Sequence, residues 1–328
     1  MKNLENYLGN IGNLVETSVK NKKEFHHPKS NNSGVLTIVL IREIISPTVF
    51  RQQDPEILSI EYKGIDRIRG IANKFKYKER QKGLQILRMF GVGGKQLQNR
   101  TYISEEIKKS KKYGEVFDLN SLVFGDSTNK EETLQLKAGF LYSDALSIQE
   151  YSDSVDSTFQ NRAEENGCTY DLAEKVNSSA LHSQHFIKPG TIMVQTITTQ
   201  GKNMTPEMLD HLLLSIGVSN SYGGRTSVSG LNIKTHIAGI FGGKVEKPVS
   251  SPYVLVDGID ENSDIEEVIR NIEDKMSSSY NMVSSHSEST EYLSSLIEKL
   301  ENDDETLEKQ YKNTKEKIDG LFEAWFKS

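Results

Sequence analysis

The stretch Ser221–Gly230 reads SYGGRTSVSG. It sets two adjacent glycines, Gly223 and Gly224, beside Arg225 and the hydroxyls of Thr226 and Ser227. Glycines permit φ > 0 and close backbone approach, so such a loop can be no more than a turn. Unshielded amides, hydroxyl donors and a guanidinium fork are also what holds a phosphate. Composition leaves both readings open. Gly91–Gln96, GVGGKQ, only superficially resembles a nucleotide-binding loop. It lacks a glycine five positions before Gly94 and a Ser or Thr after Lys95, and it reads as a helix stop. His182 and His185 near Cys168 lack a helical metal-ligand spacing and a second cysteine, and they read as solvated loop histidines. Cys168 has no activating partner in sequence, and the Asp153–Asp156 pair has no context for acid-base work. The expectation is a protein without catalytic residues, resident metal or cofactor.

The elements that must position the glycine-rich loop come next. Val35–Ile44, VLTIVLIREI, is apolar and β-branched enough for a central strand buried on both faces. A strand is expected over TLQLKAGFLYSDAL, with Leu134, Leu136, Ala138, Phe140 and Tyr142 on one face, and another over GTIMVQTITT. TPEMLDHLLLSIG predicts a helix with Thr205 as N-cap, Pro206 at N1, Met208, Leu212 and Ile216 as buried stripe, and Gly217 as terminator. The loop then leads into a last strand, GLNIKTHIAGIF, with Leu231, Ile233, Ile237 and Phe241 largely on one side. Residues 1–20 read as a short helix. Residues 148–185 are polar without a sustained period, which marks a functional loop or a mis-assigned element. The chain's end reads as two acidic amphipathic helices joined by a Ser-rich linker. Stripped of insertions the order is β-α-β-β-α-β, the ferredoxin-like plan shared by RNA-recognition folds, with helices on one face of the sheet and the other face free.

With 328 residues, 35% hydrophobic and 26% charged, the chain has the composition of a polar-surfaced globular protein of about two domains, or one with large insertions. Its longest apolar run is too short to span a bilayer, and MKNLENYLGN lacks the apolar core of a secretory signal. A cytoplasmic setting is expected. The net charge of −6 conceals an asymmetry: Lys63–Lys112 carries fifteen Lys and Arg against four acids, and Asp257–Ser328 nineteen acids against eight bases. Such a division suggests that the basic segment faces a polyanion. Its fragments DRIRG and FKYKER interleave bases with apolar and aromatic residues, a pattern open to a solvated helix face or to phosphate contact.

Three segments in order, SLVFGDSTNKEETLQLKAGFLYSDAL, HFIKPGTIMVQTIT and LLLSIGVSNSYGGRTSVSGLNIKTHIAGIF, resemble the backbone subunit of CRISPR effector complexes, of the repeat-associated RAMP superfamily and its Cas-seven group. The first strand with LIREIISPTVFR is most similar to the type I-D version. The resemblance covers about Val35 to Phe241 and leaves the acidic end outside. It implies an α+β fold: a ferredoxin-like (RRM-like) palm over 35–50, 115–147 and 186–257, basic fingers over 51–114 and a thumb over 148–185. An N-terminal helix and linker (1–34) and an acidic helical extension (258–328) would flank it. By similarity Gly223, Gly224, Arg225, Thr226 and Ser227 would hold guide-RNA phosphates, with Arg42 and Arg51 as further backbone contacts. Arg67, Arg69, Lys74, Lys76 and Arg80 of the basic block, with Lys234, complete the expected RNA-binding set.

The function implied is a non-catalytic, self-oligomerising subunit that coats crRNA and presents it to a target DNA strand. Its partners would be other copies of itself, a large subunit, a 5′-end-capping subunit and a guide-processing endonuclease, without a membrane. One rival is a type III-like subunit with metal-dependent cleavage of target RNA. IISPTVFRQQ offers no aspartate before Asp54, the first candidate for that chemistry. Another rival is a single-stranded-nucleic-acid-binding protein unrelated to CRISPR.

Overall fold

The computed structural model describes the chain apart from positions 2, 21, 29–32, 51–56, 95–116, 128–134, 162–169, 172–175, 178–180, 200, 225–228 and 327–328. Its centre is an antiparallel sheet of eight strands: β1 (Val35–Ile44), β2 (Ser59–Tyr62), β3 (Ile65–Gly70), β4 (Phe140–Tyr142), β5 (Ala145–Glu150), β6 (Ile192–Thr199), β7 (Ile233–Gly243) and β8 (Asn281–Ser285). They lie in the order β8-β7-β1-β6-β5-β3-β2, and β4 also pairs with β6. Among the described helices that pack around them are α1 (Ala72–Met89), α2 (Leu119–Phe124), α3 (Pro206–Gly217), α4 (Pro252–Val256), α5 (Ile265–Ser277), α6 (His286–Glu301) and α7 (Glu305–Trp325).

The expected central strand is β1, buried along almost its whole length between β7 and β6. Its two faces feed two cores. Leu36, Ile38 and Leu40 pack with apolar residues of α1, α2, α3, α6 and α7. Val35, Val39 and Ile41 pack with Leu255, Val268, Ile272 and Met276 of α4 and α5. The expectation of one free sheet face is therefore corrected. A strand apolar on both sides cannot leave either side to water, and the helices that cover the second side come from after the last expected strand.

Four further expectations change for local reasons. Residues 1–20 form no long helix: Gly9 and Asn10 interrupt two single 3₁₀ turns, and Val15–Lys20 pairs with Lys23–Pro28 across a turn with Lys22 at φ 64°. Val15, Thr17 and Val19 favour a strand there. The expected strand over TLQLKAGFLYSDAL is interrupted: the amide of Gly139 donates to the carbonyl of Leu122 and that of Ser143 to Thr196, which separates β4 and β5 from a short Gln135–Leu136 pairing. The Ser-rich linker of the acidic end is β8, added to the sheet beside β7. Ser285 and Glu288 then form a reciprocal cap that starts α6, so the acidic end contributes three helices and a strand. Leu231 falls before β7 and stands exposed, off the apolar face expected for it. The polar stretch 148–185 supplies an antiparallel ribbon, Val155–Asn161 against Leu181–Ile187, and a shorter pair, Tyr170–Asp171 against Val176–Asn177.

α3 begins with Pro206 at N1 and buries Met208, Leu212 and Ile216, as its sequence implies. Thr205 flanks it, but its hydroxyl is buried without a partner and does not cap. The helix is buried nearly all round because α1, α2, α6 and α7 surround it. Gly83 lets α1 approach: a Cβ there would lie 2.2 Å from Asn120 Oδ1 and 2.8 Å from Ser215 Oγ. In that crossing His211 donates from Nε2 to Asn120 Oδ1 (3.1 Å) and accepts at Nδ1 from the Tyr311 hydroxyl (3.0 Å). Burial pushes the His211 imidazole down to about 3. Protonation thus favours the unfolded chain, and this contribution to stability is complete above pH 6.5 and falls as pH drops from 6.5 towards 3. In urea unfolding across that window, wild type should lose about 1.4 kcal/mol per pH unit more than His211→Gln. Parallel slopes for the two proteins would exclude His211 as the titrating group.

Candidate nucleic-acid interface

The glycine-rich loop rises from a rigid seat. Tyr222 is fully buried, and Asn232, ten residues on, clasps it: Asn232 Oδ1 accepts from the Tyr222 amide (2.8 Å) and Nδ2 donates to the Tyr222 carbonyl (2.9 Å). The Asn232 carbonyl accepts in turn from the Ile45 amide (2.9 Å), which ties the far end of the loop to the end of β1. Gly223 has φ 88°, and a Cβ there would lie 2.3 Å from the Val49 carbonyl oxygen, the same oxygen that accepts from the Gly224 amide (3.0 Å). Only glycine fits that approach. Gly223 is half-buried and Gly224 exposed. Arg225, Thr226 and Ser227 lie outside the described residues, as do Arg51 and Asp54.

Beneath the seat lies a charge pair. The fully buried guanidinium of Arg42, on β1, meets the fully buried carboxylate of Glu79, on α1, at 2.7 Å. Its remaining donors reach Gln195 Oε1 on β6 (2.8 and 3.0 Å), Thr235 Oγ1 on β7 (2.8 Å) and the Tyr222 hydroxyl (3.2 Å). Phe75 and Tyr222 lie with ring centroids 4.9 and 5.6 Å from the guanidinium carbon. Glu79 also accepts from the Tyr222 hydroxyl (2.9 Å) and from the Tyr142 hydroxyl. Burial works most strongly against the charge of Arg42, but Glu79, Tyr222 and Tyr142 together outweigh it and the pKa rises. Burial and Glu79 together hold both tyrosines well above their ordinary range. Arg42 was expected to touch RNA; in this structure it is sealed from solvent and instead anchors the residue before Gly223.

The other expected cations divide by burial. Arg67 is buried and donates to the carbonyls of Ser147 and Ile148, with a pKa lowered by burial. Arg69 pairs with Asp144 (2.6 Å), whose other oxygen accepts from the Ala72 amide at the start of α1 (2.8 Å). Arg80 pairs with Asp126 (3.1 Å). Lys76 is half-buried, 6.0 Å from the Tyr142 ring, and its pKa is lowered by burial and then by Arg80. Lys74 is half-buried and Lys234 exposed on β7. The structure thus gathers Arg42, Gly223 and Gly224 about one seat and spreads the remaining cations along β3, α1 and β7. Among the described residues no group of three His, Cys, Asp or Glu side chains is placed to hold a metal ion, and no helix is long and apolar enough to cross a membrane.

Sequence reasoning missed Glu79 and Tyr222. A signal existed: Glu79 is the only acid of α1 and lies four residues after Phe75 and four before Gly83, on the buried stripe of a basic helix. An acid placed there needs a buried cation.

A sequence model of the family described as Csc2 Crispr matches residues 23–322. The crystal structure of Csc2 from Thermofilum pendens is similar over 98% of this chain and 94% of its own, with a TM-score of 0.60 and 13% identity, a likeness of fold. Chains of two solved CRISPR RNA-guided surveillance complexes, one in a pre-nicking state, are more distant. They show TM-scores of 0.49 and 0.44 and identities of 10% and 9%, over 73% and 72% of this chain and 85% and 81% of theirs. No curated protein matches the sequence.

The seat supplies a direct test. Arg42→Met should cost about 3–5 kcal/mol in denaturant unfolding, because Glu79 is left buried without its cation. Adding Glu79→Leu should restore much of that loss. A single variant as stable as wild type would show that the pair holds nothing.

Proposed function

The chain belongs to the Csc2 family of CRISPR backbone subunits, and on that footing we propose that it is the non-catalytic crRNA-binding backbone subunit of a type I-D surveillance complex. Copies of it would coat the guide through its phosphates and leave the bases free to pair with a target DNA strand. Large, 5′-end-capping and guide-processing subunits would complete the assembly in the cytoplasm. The observation that carries the reading is the seat of the loop: a buried, multiply bonded Tyr222 and an Asn232 clasp hold the two ends of residues 223–231 together. Ends already held together by the fold leave less ordering entropy to lose when the segment between them meets an anion, which suits phosphate contact better than a passive turn.

Topology supports the ferredoxin-like palm. The elements β1, α1, β5, β6, α3 and β7 follow one another in the chain as β-α-β-β-α-β, and their strands lie in the order β7-β1-β6-β5. The ribbon Val155–Asn161/Leu181–Ile187 lies within the residues expected for the thumb, whereas β2, β3 and α1, expected in the fingers, belong here to the palm: the two strands extend its sheet beside β5 and α1 is its first helix. Family membership argues against an unrelated single-strand binder. No observation favours the RNA-cleaving alternative.

The first experiment is purification of the tagged protein from cells that carry a CRISPR array. It should bring down RNA of one discrete guide length; recovery without RNA, or with RNA of random length, overturns the reading. Arg225→Ala should weaken RNA binding alike for all sequences and flatten the log-log salt dependence by about one. A loss confined to particular sequences would count against a phosphate cradle. With Mg²⁺ or Mn²⁺, bound target RNA should stay intact on a denaturing gel; evenly spaced products abolished by Asp54→Ala would establish the RNA-cleaving alternative instead.

A further inference from the structure

Tyr77, on α1, stands apart from every other aromatic side chain described. It is 53% exposed, and among the described residues whose side chains are placed, all other Phe, Tyr and Trp residues are buried or half-buried. We propose that Tyr77 is a stacking platform for an unpaired nucleobase of single-stranded RNA; this rests on the RNA-binding reading above and adds a base-contacting site to it.

The ring's surroundings argue for a nucleic acid. α1 carries Lys74, Lys76, Lys78, Arg80, Lys82 and Arg88, and its one acid, Glu79, points inward with its charge spent on Arg42. Lys74 and Arg80 lie one helical turn to either side of Tyr77, Arg80 paired with Asp126, and no acid of the helix itself shares that face. An aromatic face set among cations matches a strand whose bases stack and whose phosphates are anionic. An acidic protein surface would complement the lysines but would not explain an exposed ring beside them.

The ring is also held in place. Gln81 Nε2, one helical turn on, donates to the Tyr77 hydroxyl (2.8 Å), so the two torsions of the side chain are restrained before any ligand arrives. A restrained ring loses little rotamer freedom on stacking. Stacking tolerates any base, since each base has a π face, and that suits a subunit that must accept guides of any sequence.

The test uses the full-length protein and two fluorescent probes of one length, an oligouridine and a ribose-phosphate oligomer without bases. Tyr77→Ala should weaken oligouridine binding about tenfold, with the salt slope unchanged because no phosphate contact is lost. Tyr77→Phe and Tyr77→Trp should bind within about twofold of wild type, since both keep a ring. The abasic oligomer should bind wild type and Tyr77→Ala equally. Unchanged oligouridine binding by Tyr77→Ala, or an equal loss on both probes, overturns the stacking site and leaves the RNA-binding reading intact. Wild type that binds neither probe overturns both. Capture of an acidic protein that Tyr77→Ala abolishes, with oligouridine binding unaffected, would assign the ring to a protein partner and likewise overturn the proposal.

Discussion

Arg42 and Glu79 lie where no water reaches them, one on the central strand and the other on the helix that crosses it. Removing two charges from water costs several kcal/mol per ion, and only a closed set of partners offsets it. Here the set is Gln195 on β6, Thr235 on β7, Tyr142 on β4 and Tyr222 at the foot of the loop. The pair is therefore satisfied in one arrangement of four strands, one helix and one loop. A sheet slipped by one residue would turn Arg42 to the opposite face, away from α1. The constraint acts on register as much as on stability.

The two ends of the glycine-rich loop are tied to that pair. Tyr222 bonds to both members of the pair, Asn232 bonds to both ends of the Tyr222 peptide unit, and Gly223 and Gly224 press on the Val49 carbonyl. Three independent attachments thus hold the segment between Tyr222 and Asn232 at its mouth. The two buried arginines, Arg42 on β1 and Arg67 on β3, serve the interior, while on α1 Lys74, Lys76, Lys78, Arg80 and Lys82 are half-buried and Arg88 is exposed. The basic block divides its labour by helical phase: Phe75, Glu79 and Gly83 face inward, and Tyr77 faces solvent.

The acidic end shows a different economy. α5 and α4 cover the second face of the sheet, β8 extends its edge, and α6 and α7 close over α3 with Asp210 bonded to both Tyr292 and Gln310. Much of its charge is solvated helix surface laced by i,i+4 pairs such as Lys315–Asp319. The local excess of negative charge needs no basic partner to account for it.

Much of this was legible in sequence because it is local. The near-continuous apolar run of VLTIVLIREI marks a strand buried on both sides, and Pro206, the Met208–Leu212–Ile216 stripe and Gly217 delimit α3 within a few residues. The order of strands and helices follows from the same signals, and the motif series pointed to the family. What the sequence left open was decided by partners far away in the chain. The serine linker became β8 because β7 offered it backbone hydrogen bonds that propensity does not record, whereas the Val15–Lys20 strand pairs with its near neighbour Lys23–Pro28 and its β-branched residues favour it locally. Arg42 reads as a surface cation from its own neighbourhood; 37 residues separate it from Glu79 and 180 from Tyr222. A buried charge declares itself only when the group that neutralises it has been brought alongside, and that is a property of the folded chain.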